Sequence, residues 1–174
     1  MNRPKPNPRL SGHEISLEDL RAGRILTTNE QFTPSYGWSA GMALSRFLRE
    51  LQRGRLIGRH CANCRRVLVP PRWFCERCYR LTDGWVYLQE TGRVNTYSVS
   101  YVDADASPLE QPLIVAVIEI DGASPGMGLL HVLGNVATQD VHIGMPVRAV
   151  WRRPAERRGA ITDIRFFEPL TERS

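Results

Sequence analysis

The most regular helical pattern in the chain lies in residues 39–53. Its apolar positions fall at offsets of zero, three, four and seven, which is one face of an α-helix. These positions are Leu44, Phe47, Leu48 and Leu51. Arginine and glutamate occupy the opposite face, Ser39 is suited to cap the first turn, and Gly54 follows the last one. The pattern predicts an amphipathic helix that packs on its own domain or docks on another subunit.

A two-residue period replaces the helical pattern after Gly92, which is typical of β-strands. Tyr97, Val99 and Tyr101 alternate with threonine and serine. Four further segments have strand composition and are separated by turns rich in Gly, Pro and Asp: residues 113–120, 128–133, 147–152 and 161–167. Residues 138–141 suit a single helical turn after the third strand. Five short strands with this interruption predict a mainly β fold, a five-stranded Greek-key barrel of the OB type.

The segment before the helix, residues 1–38, is predicted to form an extended N-terminal arm. Its early prolines prevent regular structure at the start. Residues 16–22 predict a short helix with Ser16 as the N-cap and Asp19 at the third helical position. Three aromatic side chains are suited to anchor the arm on the protein's own core or on a partner: Phe32, Tyr36 and Trp38. We therefore expect four parts, an arm at 1–38, an amphipathic helix at 39–54, a cysteine-containing ribbon at 55–88 and a barrel at 89–170.

Composition narrows the class of protein. Hydrophobic residues make up 42% of the 174 residues, which is enough for a packed core, and the longest apolar run covers only residues 113–118. A membrane-spanning helix needs about 20 apolar residues, and the N-terminal residues lack the apolar segment of a secretory signal. We expect a soluble, cytoplasmic protein without a membrane segment, in which thiols stay reduced.

The positive charge is concentrated in one part of the chain. The formal net charge is +5, and residues 46–80 contain ten arginines against two glutamates. Residues 92–170 contain seven arginines against nine acidic residues. The basic segment is suited to bind the phosphates of nucleic acid or of a nucleotide cofactor, or an acidic protein surface. Since the chain has 22 arginines and one lysine, genome-wide codon bias explains the surplus equally well, and it would then be an ordinary solvated surface.

All four cysteines lie in this basic segment, as two Cys-x-x-Cys pairs separated by ten residues. They are Cys61, Cys64, Cys75 and Cys78. Two such turns facing each other provide the tetrahedral four-sulfur shell that structural zinc takes, with no coordination site open to substrate. Bound Zn2+ would supply the folding free energy of so small a module, on the order of 10 kcal/mol. Iron in a rubredoxin-like site and a disulfide framework are the alternatives, the latter disfavoured because nothing indicates secretion.

The predicted helix, ribbon and barrel carry short motifs in a specific order. These are residues 47–51 at the helix end, Gly-Arg-Leu at 54–56, Arg-His-Cys-Ala-Asn-Cys at 59–64, Pro-Pro-Arg at 70–72, Cys-Glu-Arg-Cys at 75–78, Thr-Gly-Arg-Val-Asn-Thr-Tyr-Ser at 91–98, Pro-Leu-Ile-Val-Ala at 112–116 and Val-His-Ile-Gly-Met-Pro-Val at 141–147. The chain thereby resembles, over residues 44–152, the family of acyl-CoA-associated OB-fold proteins with a zinc ribbon, known as domain of unknown function 35.

This resemblance implies a non-catalytic accessory subunit of an enzyme that acts on acyl-CoA thioesters. It implies a thiolase-fold partner first, a hydratase or an aldolase as alternatives, and a coenzyme A thioester bound at or near the interface. The arm at 1–38 is then expected to serve in subunit contact. For the coenzyme A phosphates we predict contacts from Arg72, Arg77 and Arg80, since guanidinium groups pair with phosphate in a bidentate manner.

The chain shows no catalytic constellation of its own. Thiolase chemistry needs a nucleophilic cysteine and an activating base, whereas all four cysteines are predicted metal ligands. The four histidines, at positions 13, 60, 131 and 142, lie in no motif with a carboxylate partner. Trp73, Phe74 and Tyr79 favour the alternative of a single-stranded nucleic-acid-binding module, against which the barrel segment is net acidic. Iron in the four-sulfur site would instead indicate an electron carrier.

Overall fold

A computed structural model describes residues 15–25 and 33–170. The chain divides into two compact units, Met1–Trp38 and Ser39–Ser174. The amphipathic helix, the ribbon and the barrel all belong to the second unit. The N-terminal prolines and Phe32 of the predicted arm lie outside the described residues.

The described part of the first unit contains helix α1, which spans Leu17–Arg21. The Ser16 hydroxyl accepts a hydrogen bond from the Asp19 N–H at 3.1 Å, and the Asp19 carboxylate accepts one from the Ser16 N–H at 3.3 Å. This reciprocal capping box satisfies two donors that the start of a helix leaves free, as the sequence predicted. Further along, the rings of Tyr36 and Trp38 lie 6.4 Å apart.

In the second unit, helix α2 spans Gly41–Gln52 and buries one apolar face. Phe47 and Leu51 on this face are almost inaccessible to solvent, which confirms the predicted period. The Ser39 hydroxyl accepts a hydrogen bond from the N–H of the first helical residue at 3.3 Å. Gly54 follows the helix with a φ of 73°, a left-handed conformation that glycine adopts without steric cost. Of the helices in the described residues, none is long and apolar enough to cross a bilayer.

Three short antiparallel strands after α2 form the ribbon, in the order β2-β1-β3. They are β1 (Ile57–Cys61), β2 (Arg66–Leu68) and β3 (Gly84–Tyr87). The first cysteine pair lies at the turn between β1 and β2, and the second lies in the loop between β2 and β3. Because a sheet of this size buries little apolar surface, the stability of the ribbon depends on the metal and on the barrel.

Five antiparallel strands form the barrel, in the order β6-β5-β4-β7-β8. They are β4 (Thr91–Val102), β5 (Pro108–Ile120), β6 (Gly128–Val132), β7 (Pro146–Trp151) and β8 (Ile164–Pro169). Leu133, directly after β6, forms a parallel bridge to Phe167 of β8 and so joins the two ends of the sheet. A 3-10 turn at Thr138–Asp140 follows the third barrel strand. This closure and this turn confirm the predicted five-stranded OB barrel.

The starts of two strands differ from the prediction by three residues or more. Strand β5 begins at Pro108 rather than at residue 113, because Pro108 pairs with Val102 in a long hairpin. Strand β8 begins at residue 164 rather than at 161, because Ile161–Asp163 form a 3-10 turn. The buried carboxylate of Asp163 fixes this turn by accepting hydrogen bonds from the N–H groups of residues 158–160.

One hydrophobic core joins the helix, the ribbon and the barrel. Phe47 of α2 and Ile57 of β1 pack in the same buried cluster as Ile118 of β5 and Phe167 of β8. Apolar burial of this kind contributes roughly 25 cal/mol per Å² and is the main force that holds the parts together. A smaller cluster surrounds the ribbon cysteines, and Met127 of the barrel packs against both clusters.

Candidate metal centre

The four cysteine sulfurs converge in the ribbon. The Sγ atoms of Cys61, Cys64, Cys75 and Cys78 all lie within 4.8 Å of one another. A tetrahedral zinc site with Zn–S bonds of about 2.3 Å requires sulfur separations of about 3.8 Å, and the Sγ atoms of Cys61 and Cys78 lie 3.6 Å apart. All four thiols are free, which contradicts the disulfide alternative. The donor set fits structural Zn2+ held by these four residues.

Each cysteine pair is followed by a residue in the left-handed conformation. Arg65 follows Cys64 with a φ of 52°, and Tyr79 follows Cys78 with a φ of 58°. Such a conformation costs a non-glycine residue on the order of 1 kcal/mol. In the second pair, the Tyr79 N–H donates to the Cys75 carbonyl oxygen at 2.8 Å. Both metal-binding turns therefore end in the same left-handed conformation, which the spacing of the cysteines alone does not predict.

Backbone donors and burial act on these thiols in opposite directions. The N–H groups of Arg77 and Cys78 donate to the Cys75 sulfur and lower the pKa of that thiol to about 7. A hydrogen bond with Cys78 and loss of solvent raise the pKa of Cys64 to about 12. Because a metal ligand must be deprotonated, metal binding releases protons and weakens in acid.

Arg59, in β1, ties the loop of the second cysteine pair to the ribbon sheet. Its buried guanidinium lies 4.6 Å from the ring centre of Trp73 and 4.7 Å from that of Trp85. It donates to the Thr82 hydroxyl at 2.6 Å and also to the Thr82 carbonyl oxygen. Burial lowers the pKa of Arg59, and the two aromatic faces offset the cost of burying its charge. From the sequence, Arg59 was included in the basic segment suited to bind phosphates, whereas in the structure it is buried and packs on aromatic rings.

Other arginines of the basic segment are also engaged inside the unit. The buried carboxylate of Glu50 lies 3.0 Å from a guanidinium nitrogen of Arg53 and 2.6 Å from one of Arg55. Arg66 forms an ion pair with Glu76 of the second cysteine pair. The free basic surface is therefore smaller than the residue count indicates.

The three arginines predicted to contact phosphate lie around the second cysteine pair. Arg77 and Arg80 are exposed. Arg72 is half exposed, and its guanidinium lies 3.5 Å from the Glu76 carboxylate. The three share one part of the ribbon, and their contact with coenzyme A stays a prediction.

Two connected apolar grooves lie between α2, the loop after β2 and the barrel. The first measures about 430 Å³ and is lined by residues 40–44 and 70–73, Arg72 included. The second measures about 370 Å³, shares Leu44 and Pro70 with the first and reaches β6. Leu44, predicted on the buried face of the helix, is 42% exposed here. Sequence reasoning missed these grooves because their walls come from segments far apart in the chain.

The described histidines do not form an acid–base site. His131 is buried in β6, with Nε2 3.3 Å from the Ile161 carbonyl oxygen and its ring packed edge-on against Phe167. The Nδ1 atom of His142 lies 3.0 Å from the Asp140 carbonyl oxygen. Among residues 15–25 and 33–170, every cysteine belongs to the metal cluster and none is paired with a histidine base.

Two family models match the chain from the end of α2 to the end of β7. The rubredoxin-like zinc ribbon domain of ChsH2 matches residues 49–82, which include all four cysteines. The C-terminal OB-fold domain of ChsH2 matches residues 85–152. The boundary between the two matches falls where the ribbon strand β3 begins.

Several known proteins are similar to this chain. A DUF35 domain-containing scaffold protein of Methanocaldococcus jannaschii is 36% identical over 118 residues, which cover 66% of this chain and 82% of that protein. A probable enoyl-CoA hydratase alpha subunit of Thermomonospora curvata is 31% identical over 97 residues, or 56% of this chain and 29% of that protein.

Solved structures share the same architecture. A DUF35-family protein of unknown function from Sulfolobus solfataricus has a TM-score of 0.54 at 28% identity, over 63% of this chain and 78% of that one. The Ltp2–ChsH2(DUF35) aldolase contains a chain with a TM-score of 0.55 at 23% identity, over 76% of this chain and 98% of that one, which shows a shared fold. With its four-sulfur ribbon, its OB barrel and these relatives, the chain belongs to the DUF35 family of zinc-ribbon and OB-fold proteins.

Proposed function

We propose that this chain is a non-catalytic scaffold subunit of an enzyme complex that acts on acyl-CoA thioesters. The observation that carries the proposal is the closed four-sulfur site, which commits every cysteine of the chain to metal. A site with four protein ligands has no open position for substrate. The family's scaffold proteins support the same role. The reacting groups would therefore come from the partner subunit.

The partner we propose first is a thiolase-fold enzyme, which would supply a nucleophilic cysteine and its base. A hydratase or an aldolase is the alternative, because one relative is named a probable enoyl-CoA hydratase alpha subunit and a chain of the same fold occurs in the Ltp2–ChsH2(DUF35) aldolase. Reduced metal-binding thiols also need a reducing compartment, so we place the complex in the cytoplasm.

We place the coenzyme A thioester in the grooves beside the ribbon. The first groove, about 430 Å³ in volume, lies within the range of small-molecule sites, and its lining is mainly apolar. That lining suits an acyl chain or the pantetheine arm, while Arg72 at its border suits a phosphate. Arg77 and Arg80 would contact further phosphates from the same part of the ribbon.

The test is affinity purification of the tagged chain from its source cells, with co-purifying proteins identified by mass spectrometry. We expect a thiolase-, hydratase- or aldolase-type subunit and turnover of CoA thioesters in the eluate. A chain that purifies alone, or only with enzymes unrelated to coenzyme A, would overturn the proposal. Visible absorbance of the eluate separates zinc, which is colourless, from iron.

A single-stranded nucleic-acid-binding module is the second candidate, and one observation favours it. Phe74 and Tyr79 are 58% and 82% exposed beside the exposed Arg77 and Arg80. Aromatic side chains next to arginine are typical of surfaces that stack single-stranded bases. Fluorescence anisotropy with labelled oligonucleotides decides the matter, because salt-dependent binding would support this candidate and absence of binding would remove it.

A further inference from the structure

The hairpin formed by β4 and β5 extends beyond the rest of the barrel. Strand β4 pairs with β7 only at residues 91–93, and β5 pairs with β6 only at residues 115–119. Past Ile114, whose carbonyl oxygen accepts from the Leu133 N–H, the two strands pair only with each other among the described residues. At about 3.4 Å per residue, the strands project on the order of 10 Å before their turn. On its other side β4 has no strand partner beyond residue 93 among the described residues, so we name residues 97–113 the projecting hairpin.

The turn of the projecting hairpin is shaped by its own side chains. The Asp103 carboxylate accepts hydrogen bonds from the N–H groups of Asp105 and Ser107, both at 2.9 Å. The Asp103 N–H donates to the Ser107 carbonyl oxygen at 2.9 Å. The hairpin is therefore a pre-organised surface, which lowers the entropy that a partner must take from it on binding.

Apolar side chains are exposed along the projecting hairpin. The exposed fractions are 37% for Tyr97, 64% for Tyr101, 46% for Val102 and 41% for Leu113. Tyr97 and Val99 lie opposite Ala116 and Ile114, which are buried in the barrel. The face of the sheet that is buried inside the barrel therefore continues along β4 into the hairpin. A two-stranded hairpin alone is only marginally stable in water, and exposed tyrosine and aliphatic side chains are typical of protein contacts.

The projecting hairpin also differs in charge from the rest of the molecule. It contains three acidic residues and no lysine, arginine or histidine, although the whole chain has a net charge of +5. All three acidic residues are exposed, and the Asp103 carboxylate accepts hydrogen bonds in the turn. An acidic tip beside exposed tyrosines is complementary to an apolar groove bordered by basic residues.

We infer that the projecting hairpin inserts into the partner enzyme subunit, at an apolar groove bordered by arginine and lysine. This inference rests on the proposed function, because it needs such a partner. A second copy of this chain fits less well. A symmetric contact between two projecting hairpins would bring their carboxylates together, and Arg72 in this chain's own apolar groove is already paired with Glu76. Because salt screens charges, the binding defect of a charge-reversal variant should depend on salt concentration, whereas the defect of a variant that lacks an apolar contact should not.

The test measures binding of purified variants to the enzyme subunit that co-purifies with the wild-type chain. Tyr101→Ser removes an apolar contact, and the double variant Asp105→Lys with Glu110→Lys reverses the charge. We expect each to weaken binding by about 30-fold or more, as loss of a central interface contact does. At high salt, the affinity of the charge variant should approach that of wild type measured at the same salt concentration, and the affinity of Tyr101→Ser should not. Tyr87→Ser and Asp140→Lys, an exposed aromatic and an exposed acid outside the hairpin, are the matched controls and should bind within about twofold of wild type.

The outcomes separate this inference from the proposed function. If the wild-type chain captures no acyl-CoA enzyme, both are overturned. If it captures one and the hairpin variants bind it as tightly as wild type does, only the inference fails. If the wild-type chain is a homodimer in light scattering and the same variants make it monomeric, the occupant is a second copy and the inference is wrong. Unchanged circular dichroism and zinc content show that the variants are folded.

Discussion

Ser124 and Val67 join the barrel to the ribbon through a reciprocal pair of hydrogen bonds. The Val67 N–H donates to the Ser124 hydroxyl at 2.9 Å, and the Ser124 N–H donates to the Val67 carbonyl oxygen at 3.0 Å. Strand β2 is at an edge of the ribbon sheet, so this contact satisfies backbone groups that have no strand beside them. Met127, from the same barrel turn, packs against the cysteine cluster. The barrel therefore supports the metal centre directly.

Replacing Ser124 by alanine should loosen this joint. The change removes the acceptor of the Val67 N–H, and loss of one such bond costs about 1 kcal/mol. We expect a lower free energy of unfolding in urea and faster transfer of zinc to a chelator. Ser98→Ala, at an exposed strand position, is the control and should change neither quantity. Equal zinc-release rates for Ser124→Ala and wild type would contradict a role of the barrel in holding the metal centre.

Removing one metal ligand should unfold the ribbon and leave the barrel folded. Cys75→Ser breaks the four-sulfur shell, and the ribbon loses a folding free energy on the order of 10 kcal/mol. We expect no bound zinc by elemental analysis, rapid hydrogen exchange in β1–β3 and weaker partner binding. Ala62→Ser, an exposed substitution inside the first cysteine pair, should keep one zinc per chain. A Cys75→Ser protein that lost the metal and still supported full activity of the complex would refute the scaffold role.

Arg59 should contribute more to stability than an exposed arginine does. Arg59→Met removes two cation–π contacts and the hydrogen bonds to Thr82, and we expect a loss of about 2–3 kcal/mol in unfolding free energy. Arg165→Met, at an exposed position over the Phe166 ring, should cost less than about 0.5 kcal/mol. Urea titration of both variants gives the comparison. Similar losses of unfolding free energy for the two variants would show that the buried contacts of Arg59 contribute no more to stability than an exposed arginine does.

The barrel should lose the stabilising contribution of ionised Glu168 in acid. Hydrogen bonds from Asn135 at 2.6 Å and from Arg148 at 2.9 Å lower the pKa of Glu168 in the folded state. Because this pKa lies below its value of about 4.3 in the unfolded chain, the stabilisation is complete above that pH and is lost as the pH falls through the folded pKa. The free-energy difference between wild type and Glu168→Gln should therefore shrink from pH 7 to pH 3. A difference that stays constant over this range would contradict the assignment.

Local patterns predicted the parts of the fold that depend on neighbouring residues. The capping box of Ser16 and Asp19 and the helix end at Gly54 follow from chemistry within a few positions, and both were confirmed. The spacing of the cysteines likewise fixed the metal centre, because each pair needs only one tight turn. A family resemblance carried by these motifs extended the prediction to the order of ribbon and barrel.

Features that depend on distant segments were missed or predicted wrongly. Arg59 looked like a surface charge because its partners Trp73 and Trp85 are supplied by later parts of the chain. Residues 161–163 have strand composition, and only the hydrogen bonds of Asp163 with the preceding loop make them a 3-10 turn. The projecting hairpin was not predicted, because the alternation of residues shows which side chains share a face of a strand. It does not show where pairing with the neighbouring strands ends.

We propose that this polypeptide organises CoA-thioester chemistry without performing it. The most direct measurement is turnover of CoA thioesters, followed by chromatography, for the complex isolated from source cells and for this chain after separation from it. We predict turnover by the complex, none by the zinc-loaded chain alone, and recovery on recombining the two fractions. Turnover by the separated chain, or a complex without activity on any CoA thioester, would contradict the account.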